Sequence, residues 1–164
     1  MKFEHYHFDE VESTQIEAKK KLNESAKVPF LITADMQTKG IATKGKSWAG
    51  ERGNLFATFV FQSDKDFDFL PLTSAKIMKD VVFDEFDVAL ELKAPNDLLF
   101  NGKKCCGILL EKITFHEKLC YLIGIGFNCF KAPFLKDVKA TFISCDPNTL
   151  INNWVKRALK IINA

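Results

Sequence analysis

Three stretches of this chain set chemistry-bearing side chains beside apolar, strand-forming runs. The first is "LELKAPNDLLFNGKKCCGILLEK", residues 90–112. Pro95 fixes its own backbone and disfavours helix at Ala94, so Asn96 and Asp97 sit on a rigid corner beside Lys93. Asn101-Gly102 makes a tight turn, after which Lys103 and Lys104 open the returning run. Gly107 then leaves out a side chain where a ligand or another backbone can approach closely. Lys104 is thus a cation beside a backbone-lined opening, suited to chemistry on an anion. The structural alternative, which the sequence leaves equally open, is a simple Lys104–Asp97 ion pair.

The second stretch, "QTKGIATKGKSWAGERG" at 37–53, holds four of the eight glycines. It lacks the order of a P-loop. Its Lys39, Lys44, Lys46 and Arg52, with free backbone amides, can still wrap an anion. Composition alone favours a solvated connection; Trp48 and the length of the loop argue for function. The third is Gly124-Ile125-Gly126-Phe127-Asn128. Two glycines spaced by one on a strand bare one sheet face and leave room for a flat ligand. Asn128 ends that strand with an amide able to read a base or a carboxamide.

These residues need a scaffold. "KFEHYHF" alternates and predicts a first strand. Thr14-Gln15-Ile16-Glu17 predicts a helix start with a capping box, Thr14 accepting from the Glu17 amide. "FLITADM" and "NLFATFVFQ" predict strands on either side of the glycine loop, and Pro71 suits the first turn of a helix running to about Phe86. "VALELK" leads into the hairpin, and "KLCYLIGIGFNCF" is a further strand reached through a short turn at 116–118. Asp146-Pro147 starts a last helix with Leu150, Trp154, Val155, Leu159 and Ile162 on one side. Hairpin-joined strands with helices near the start, middle and end predict an α+β fold, a mixed, mostly antiparallel sheet with helices packed on one face.

Bulk properties narrow the classes. A chain of 164 residues with 47% hydrophobic and 27% charged content is one globular domain by size and composition. A net charge of +2 gives no ground for a nucleic-acid partner. No apolar run is long enough to span a bilayer and no leader pattern opens the chain, so cytoplasm is the expected location. Five cysteines without a C-x-x-C spacing read as reduced, mostly buried thiols. His5 and His7 share a strand face but lack a third ligand, so no residue is assigned to a metal.

Taken in order, "ESTQ" (12–15), "ADMQTKGIATKGKSW" (34–48), "GNLFATFVF" (53–61), "LKAPNDLLFNGKKCCGILLE" (92–111) and "IGIGFN" (123–128) resemble the catalytic domain of biotin protein ligase. The resemblance implies ATP-dependent activation of biotin to biotinyl-5′-AMP, then transfer to a lysine of a biotin carboxyl carrier domain. It implies ATP and Mg2+ as cofactors, no membrane or nucleic-acid partner, and leaves a homodimer open. It also implies residues 1–164 as a single catalytic domain, with neither an N-terminal DNA-binding domain nor a C-terminal β-barrel.

By the same resemblance Ser13, Thr14 and Gln15 meet the biotin ureido ring, as does Gln37 at the head of the loop. Gly40, Ile41, Ala42 and Thr43, with Gly107, complete the biotin side. Lys44, Lys46, Trp48 and Asn128 belong to the nucleotide side. Lys104 matches the lysine between the biotin carboxylate and the ATP α-phosphate, and Asp97 the Asp of the Lys-Trp-Pro-Asn-Asp signature. Departures are visible as well. Ile41 and Thr43 replace arginines of Gly-Arg-Gly-Arg-x-Gly-Arg-x-Trp, Ala42 replaces a glycine, and Ala94 a tryptophan. Fork-shaped phosphate donors are therefore fewer. Two alternatives stay open: a lipoate or octanoate ligase or transferase using Cys105 or Cys106 as nucleophile, and a biotin-binding module without catalysis.

Overall fold

Strands rich in Phe, Ile, Val and Leu alternate with polar turns, and in the computed structural model, which describes residues 2–67 and 70–164, they assemble one sheet. Its strands are β1 (Glu4–Val11), β2 (Phe30–Gln37), β3 (Leu55–Gln62), β4 (Glu91–Lys93), β5 (Asp97–Phe100), β6 (Lys103–Phe115) and β7 (Lys118–Phe127), in the spatial order β1-β2-β3-β7-β6-β5-β4. Among these described strands, β1 and β2 alone pair in parallel. A parallel pair needs a crossover. Helix α1 (Thr14–Asn23) supplies it.

The expected mixed, mostly antiparallel sheet is thus present, and "VALELK" contributes only the short β4 to it. Because side chains alternate along a strand, neighbours in β2 enter different cores. Leu31 joins a large core closed by α2 (Leu70–Phe86) and α3 (Pro147–Ile162), while Phe30 and Ile32 join a smaller one closed by α1. The expected single helical layer is therefore made by α2 and α3, and α1 lies on the opposite face. Trp154 of α3 sits fully buried in the large core and donates its indole N–H to the Ser74 carbonyl at 3.0 Å.

The start of α1 corrects one local expectation. Ser13, not Thr14, is the N-cap: its backbone is extended and its Oγ accepts from the Gln15 amide at 3.2 Å. The Glu17 amide donates to the Ser13 carbonyl instead of to Thr14. Thr14 already has helical backbone, which turns its hydroxyl toward the sheet, where it donates to Gln37 Oε1 at 3.1 Å. Cap and site residue are thus adjacent but distinct.

The hairpin of β5 and β6 carries a second device. Asn101 (φ 51°) and Gly102 (φ 74°) both take the left-handed conformation that a two-residue hairpin turn requires. Register runs Asp97↔Gly107 and Leu98↔Cys106, then shifts to Leu99↔Lys104, so Cys105 is an extra residue on β6. In a regular strand residues three apart face opposite ways. The bulge adds the half-step that puts Lys104 and Gly107 on one face.

Candidate active site

Beyond α1, the smaller-core face of the sheet is floored by glycine. A Cβ added at Gly126 would lie 2.4 Å from the Trp48 ring, one at Gly107 2.8 Å from it, and one at Gly124 3.0 Å from Gln15 Oε1. The bare face read from the sequence is real, but the chain's own Trp48 and Gln15 cover it. What remains beneath them is a cavity of about 40 Å3, lined by Ser13, Thr14, Gln15, Gln37, Ile41, Ala42, Thr43, Trp48, Lys104 and Gly107 among others. That is room for a few waters. A second, open cavity of about 480 Å3 adjoins it, sharing Ala42, Thr43, Trp48 and Lys104 and adding Lys46, Lys93, Asp97, Asn128 and the wall from Pro133 to Ala140.

The loop at 38–54 folds back on itself to place Trp48. The Trp48 amide donates to the Gly40 carbonyl at 2.8 Å, and the Ala42 amide to the Lys46 carbonyl at 2.7 Å. Lys44 and Gly45 turn the tip with positive φ. Gly40 lies at the neck, where a Cβ would meet the Trp48 carbonyl at 2.4 Å. Gly40 and Lys44 therefore shape the loop without lining either cavity.

Lys104 stands where the two cavities meet. Its Nζ is 2.9 Å from Asp97 Oδ1 and 5.2 Å from the centre of the Trp48 ring. Both charged side chains are largely withdrawn from solvent, with 24% and 18% exposed. The contact is close but poorly aligned: Asp97 Oδ1 is buried without a well-directed hydrogen bond, and so is Trp48 Nε1. The ion pair and the pocket cation, alternatives in the sequence, are both present.

A hydrogen-bonded chain closes the far end of the small cavity. Gln37 Oε1 accepts from the Thr14 amide (2.8 Å) and hydroxyl (3.1 Å). Thr58 Oγ1 lies 2.9 Å from Thr14 Oγ1 and 2.8 Å from Gln15 Oε1, and Gln15 Nε2 donates to Glu111 Oε1 at 2.9 Å. Thr58, Glu111 and Lys19 were missed in the sequence; a lone threonine in the apolar "LFATFVF" was the available signal.

Asn128 is 2% exposed, and its amide is engaged by the chain: Nδ2 donates to the Thr141 carbonyl at 3.0 Å and Oδ1 receives from Asn54 Nδ2 at 3.4 Å. Asn54, also unforeseen, accepts from the Phe130 and Lys131 amides and so fixes the exit of β7. Cys105 and Cys106 are fully buried. Burial pushes the Cys105 thiol up to about 12, and that of Cys106 well above its ordinary value. His5 and His7 share Thr33 Oγ1 at 2.7 and 2.8 Å, away from the site. Among the described residues no group of three or more His, Cys, Asp or Glu can hold a metal ion, and no helix is long and apolar enough to cross a membrane.

Known proteins resemble this chain in sequence and in fold. The bifunctional ligase/repressor BirA of Bacillus subtilis is 31% identical over 133 residues, an alignment covering 78% of this chain and 41% of that protein. The crystal structure of biotin protein ligase from Leishmania major in complex with biotinyl-5-AMP superposes with a TM-score of 0.85 at 26% identity, covering 99% of this chain and 76% of that one. Biotin acetyl coenzyme A carboxylase synthetase from Helicobacter pylori, with bound biotinylated ATP, gives 0.80 at 26% identity, covering 97% and 75%. The model of the biotin/lipoate A/B protein ligase family matches residues 8–128, and the chain belongs to that family.

Proposed function

We propose that this chain is a biotin protein ligase: it joins biotin to ATP as biotinyl-5′-AMP and passes the biotinyl group to a lysine of a carboxylase carrier domain. One observation carries this reading: Lys104 stands between a small cavity ended by amides and hydroxyls and a larger, lysine-lined one. The relatives with bound biotinyl-5-AMP and biotinylated ATP supply the matching ligands.

The polar end favours biotin over lipoate or octanoate. Gln37 Oε1 is occupied by two donors, which leaves the Nε2 hydrogens without an acceptor among the described residues. Ser13 Oγ accepts from the Gln15 amide and keeps its own hydrogen to give. A cyclic urea takes such donors with its carbonyl; a dithiolane or an alkyl chain leaves them unpaired, at a cost. The cysteine route of a transferase fails on burial, since a thiolate nucleophile needs access and a lowered pKa.

In the first step a biotin carboxylate oxygen attacks the α-phosphorus, and the bond from that phosphorus to the bridging oxygen of pyrophosphate breaks. Two anions meet, so the barrier is largely electrostatic, and the Lys104 ammonium acts where charge gathers. Its hold on Asp97 is off-line and gives way to stronger ligand oxygens. Lys46 and Lys93 add charge along the larger cavity. A magnesium ion held mostly by phosphate and water would need no more than a carboxylate from the chain and would offset charge on the nucleotide phosphates; Asp97 would be that ligand. Asp97 is the carboxylate on that wall nearest the reacting centre. In the second step the carrier amine attacks the acyl carbon and AMP leaves with the bonding pair; Asp97 takes the amine proton.

A bicyclic head does not fit about 40 Å3, so the loop bearing Ile41 to Trp48 swings out to admit biotin and returns to shield a hydrolysable adenylate. Purified protein with biotin, magnesium-ATP and a biotin carboxyl carrier domain tests the function. A mass increase of one biotinyl group on the carrier lysine is expected, and an unmodified carrier overturns the reading.

A further inference from the structure

Glu111 lies on β6 well beyond Lys104 and has no part in the steps above. Its carboxylate holds two residues of α1 at once, Gln15 through Nε2 at 2.9 Å and Lys19 through Nζ at 2.6 Å. Residues four apart share a helix face, so one carboxylate spans both. The pair is partly withdrawn, with 29% of the Glu111 and 37% of the Lys19 side chain exposed.

This contact sets the polarity of the chain of groups behind it. A carboxylate only accepts, so the Gln15 amide must turn its NH2 to Glu111 and its oxygen to Thr58. Thr58 has one hydroxyl hydrogen and two acceptors in reach, Gln15 Oε1 and Thr14 Oγ1. Donation to an ionised acceptor polarises the Gln15 amide and makes its oxygen the better partner. The Thr58 hydrogen then goes to Gln15, and Thr14 Oγ1, whose own hydrogen is shared between Thr58 Oγ1 and Gln37 Oε1, keeps its lone pairs for an incoming N–H. The cavity end thus offers an acceptor at Thr14 beside donors at Ser13 and Gln37.

We propose that Glu111, anchored by Lys19, is a positioning residue that fixes this donor–acceptor order and so selects a ureido head group. The proposal rests on the biotin reading above and extends it to residues that touch no ligand.

Pyrophosphate release, titrated separately in biotin and in ATP, tests it with wild-type protein, Glu111→Leu, Glu111→Gln and Lys19→Met. Glu111→Leu is expected to raise the KM for biotin about tenfold while the KM for ATP stays within about twofold, the loss of a charged hydrogen bond felt at one remove. Glu111→Gln, which can still accept from Gln15, is expected to recover most of that loss. A merely structural role would move both KM values together, and that result, or no change in either, overturns the proposal. If Glu111→Leu does not fold, Lys19→Met decides: a rise confined to the biotin KM supports the proposal and an unchanged one overturns it. Wild-type protein that releases no pyrophosphate with biotin sinks the ligase function and this proposal together. An active wild type with unaffected variants sinks the proposal alone.

Discussion

Trp48 and Gly126 define the site at the scale of single residues. The indole lies where any larger residue at 126 would put its first side-chain carbon, 2.4 Å from the ring. Gly126 does not have the positive φ that favours glycine, so its value here is space and not backbone freedom. Gly126→Ala should therefore displace Trp48, at about 1–3 kcal/mol of local strain, and slow adenylate formation about tenfold. Since Trp154 is fully buried elsewhere, a change in tryptophan emission would report Trp48. Unchanged emission and rate would contradict the packing. This scale was partly legible in the sequence. Lys104, Asp97 and the glycines declared themselves by type, and the structure gathers them. The pairing of Lys104 with Gly107 was hidden because it depends on the extra residue at Cys105, and a bulge leaves no mark in local composition. Glu111 was hidden too, since its partners lie 92 and 96 positions away.

Elements carry the next set of consequences. The loop at 38–54 holds itself closed through backbone bonds and presents Thr43 to both cavities. Thr43→Arg should add a fork-shaped donor on the phosphate side and slow escape of biotinyl-adenylate about tenfold, measured as an off-rate; no slowing would count against the placement. Helix α3 begins at the Asp146 cap, whose Oδ2 accepts from the Thr149 amide and hydroxyl, both at 2.8 Å. The Thr149 side chain first, then its amide, hold the Asp146 carboxyl below its ordinary value. A lowered pKa in the folded state stabilises above the unfolded value, near 4, and the benefit fades as pH falls through the folded one. Asp146→Ala should cost about 1 kcal/mol at neutral pH, read by denaturant unfolding. The difference from wild type should shrink in acid; a constant difference would contradict the cap. Sequence patterning found this cap because Asp-Pro before an apolar stripe is a local signal. It misplaced the cap of α1 because Ser13 and Thr14 are both good caps, and tertiary partners on the sheet settled which one turned inward.

At the scale of the whole molecule, the sheet separates structure from chemistry. One face is filled by α2, α3 and the large core around Phe59, Met78 and Trp154. The other is only half covered by α1, and the uncovered half carries the candidate site. Hairpin order, two helix-start signals and one amphipathic segment made the mixed sheet readable in advance. The side on which α1 packs was not readable, because it depends on β1 and β2 pairing in parallel, which sets the hand of the crossover and leaves no local mark in the sequence. This division lets site substitutions be made without dismantling the core, which makes Lys104 the sharpest probe. Biotin-dependent pyrophosphate release should be readily seen in the wild type and fall by about a hundredfold or more in Lys104→Ala, with helix and sheet content retained by circular dichroism. A variant that releases pyrophosphate at near wild-type rate would contradict the placing of that ammonium between the two substrates.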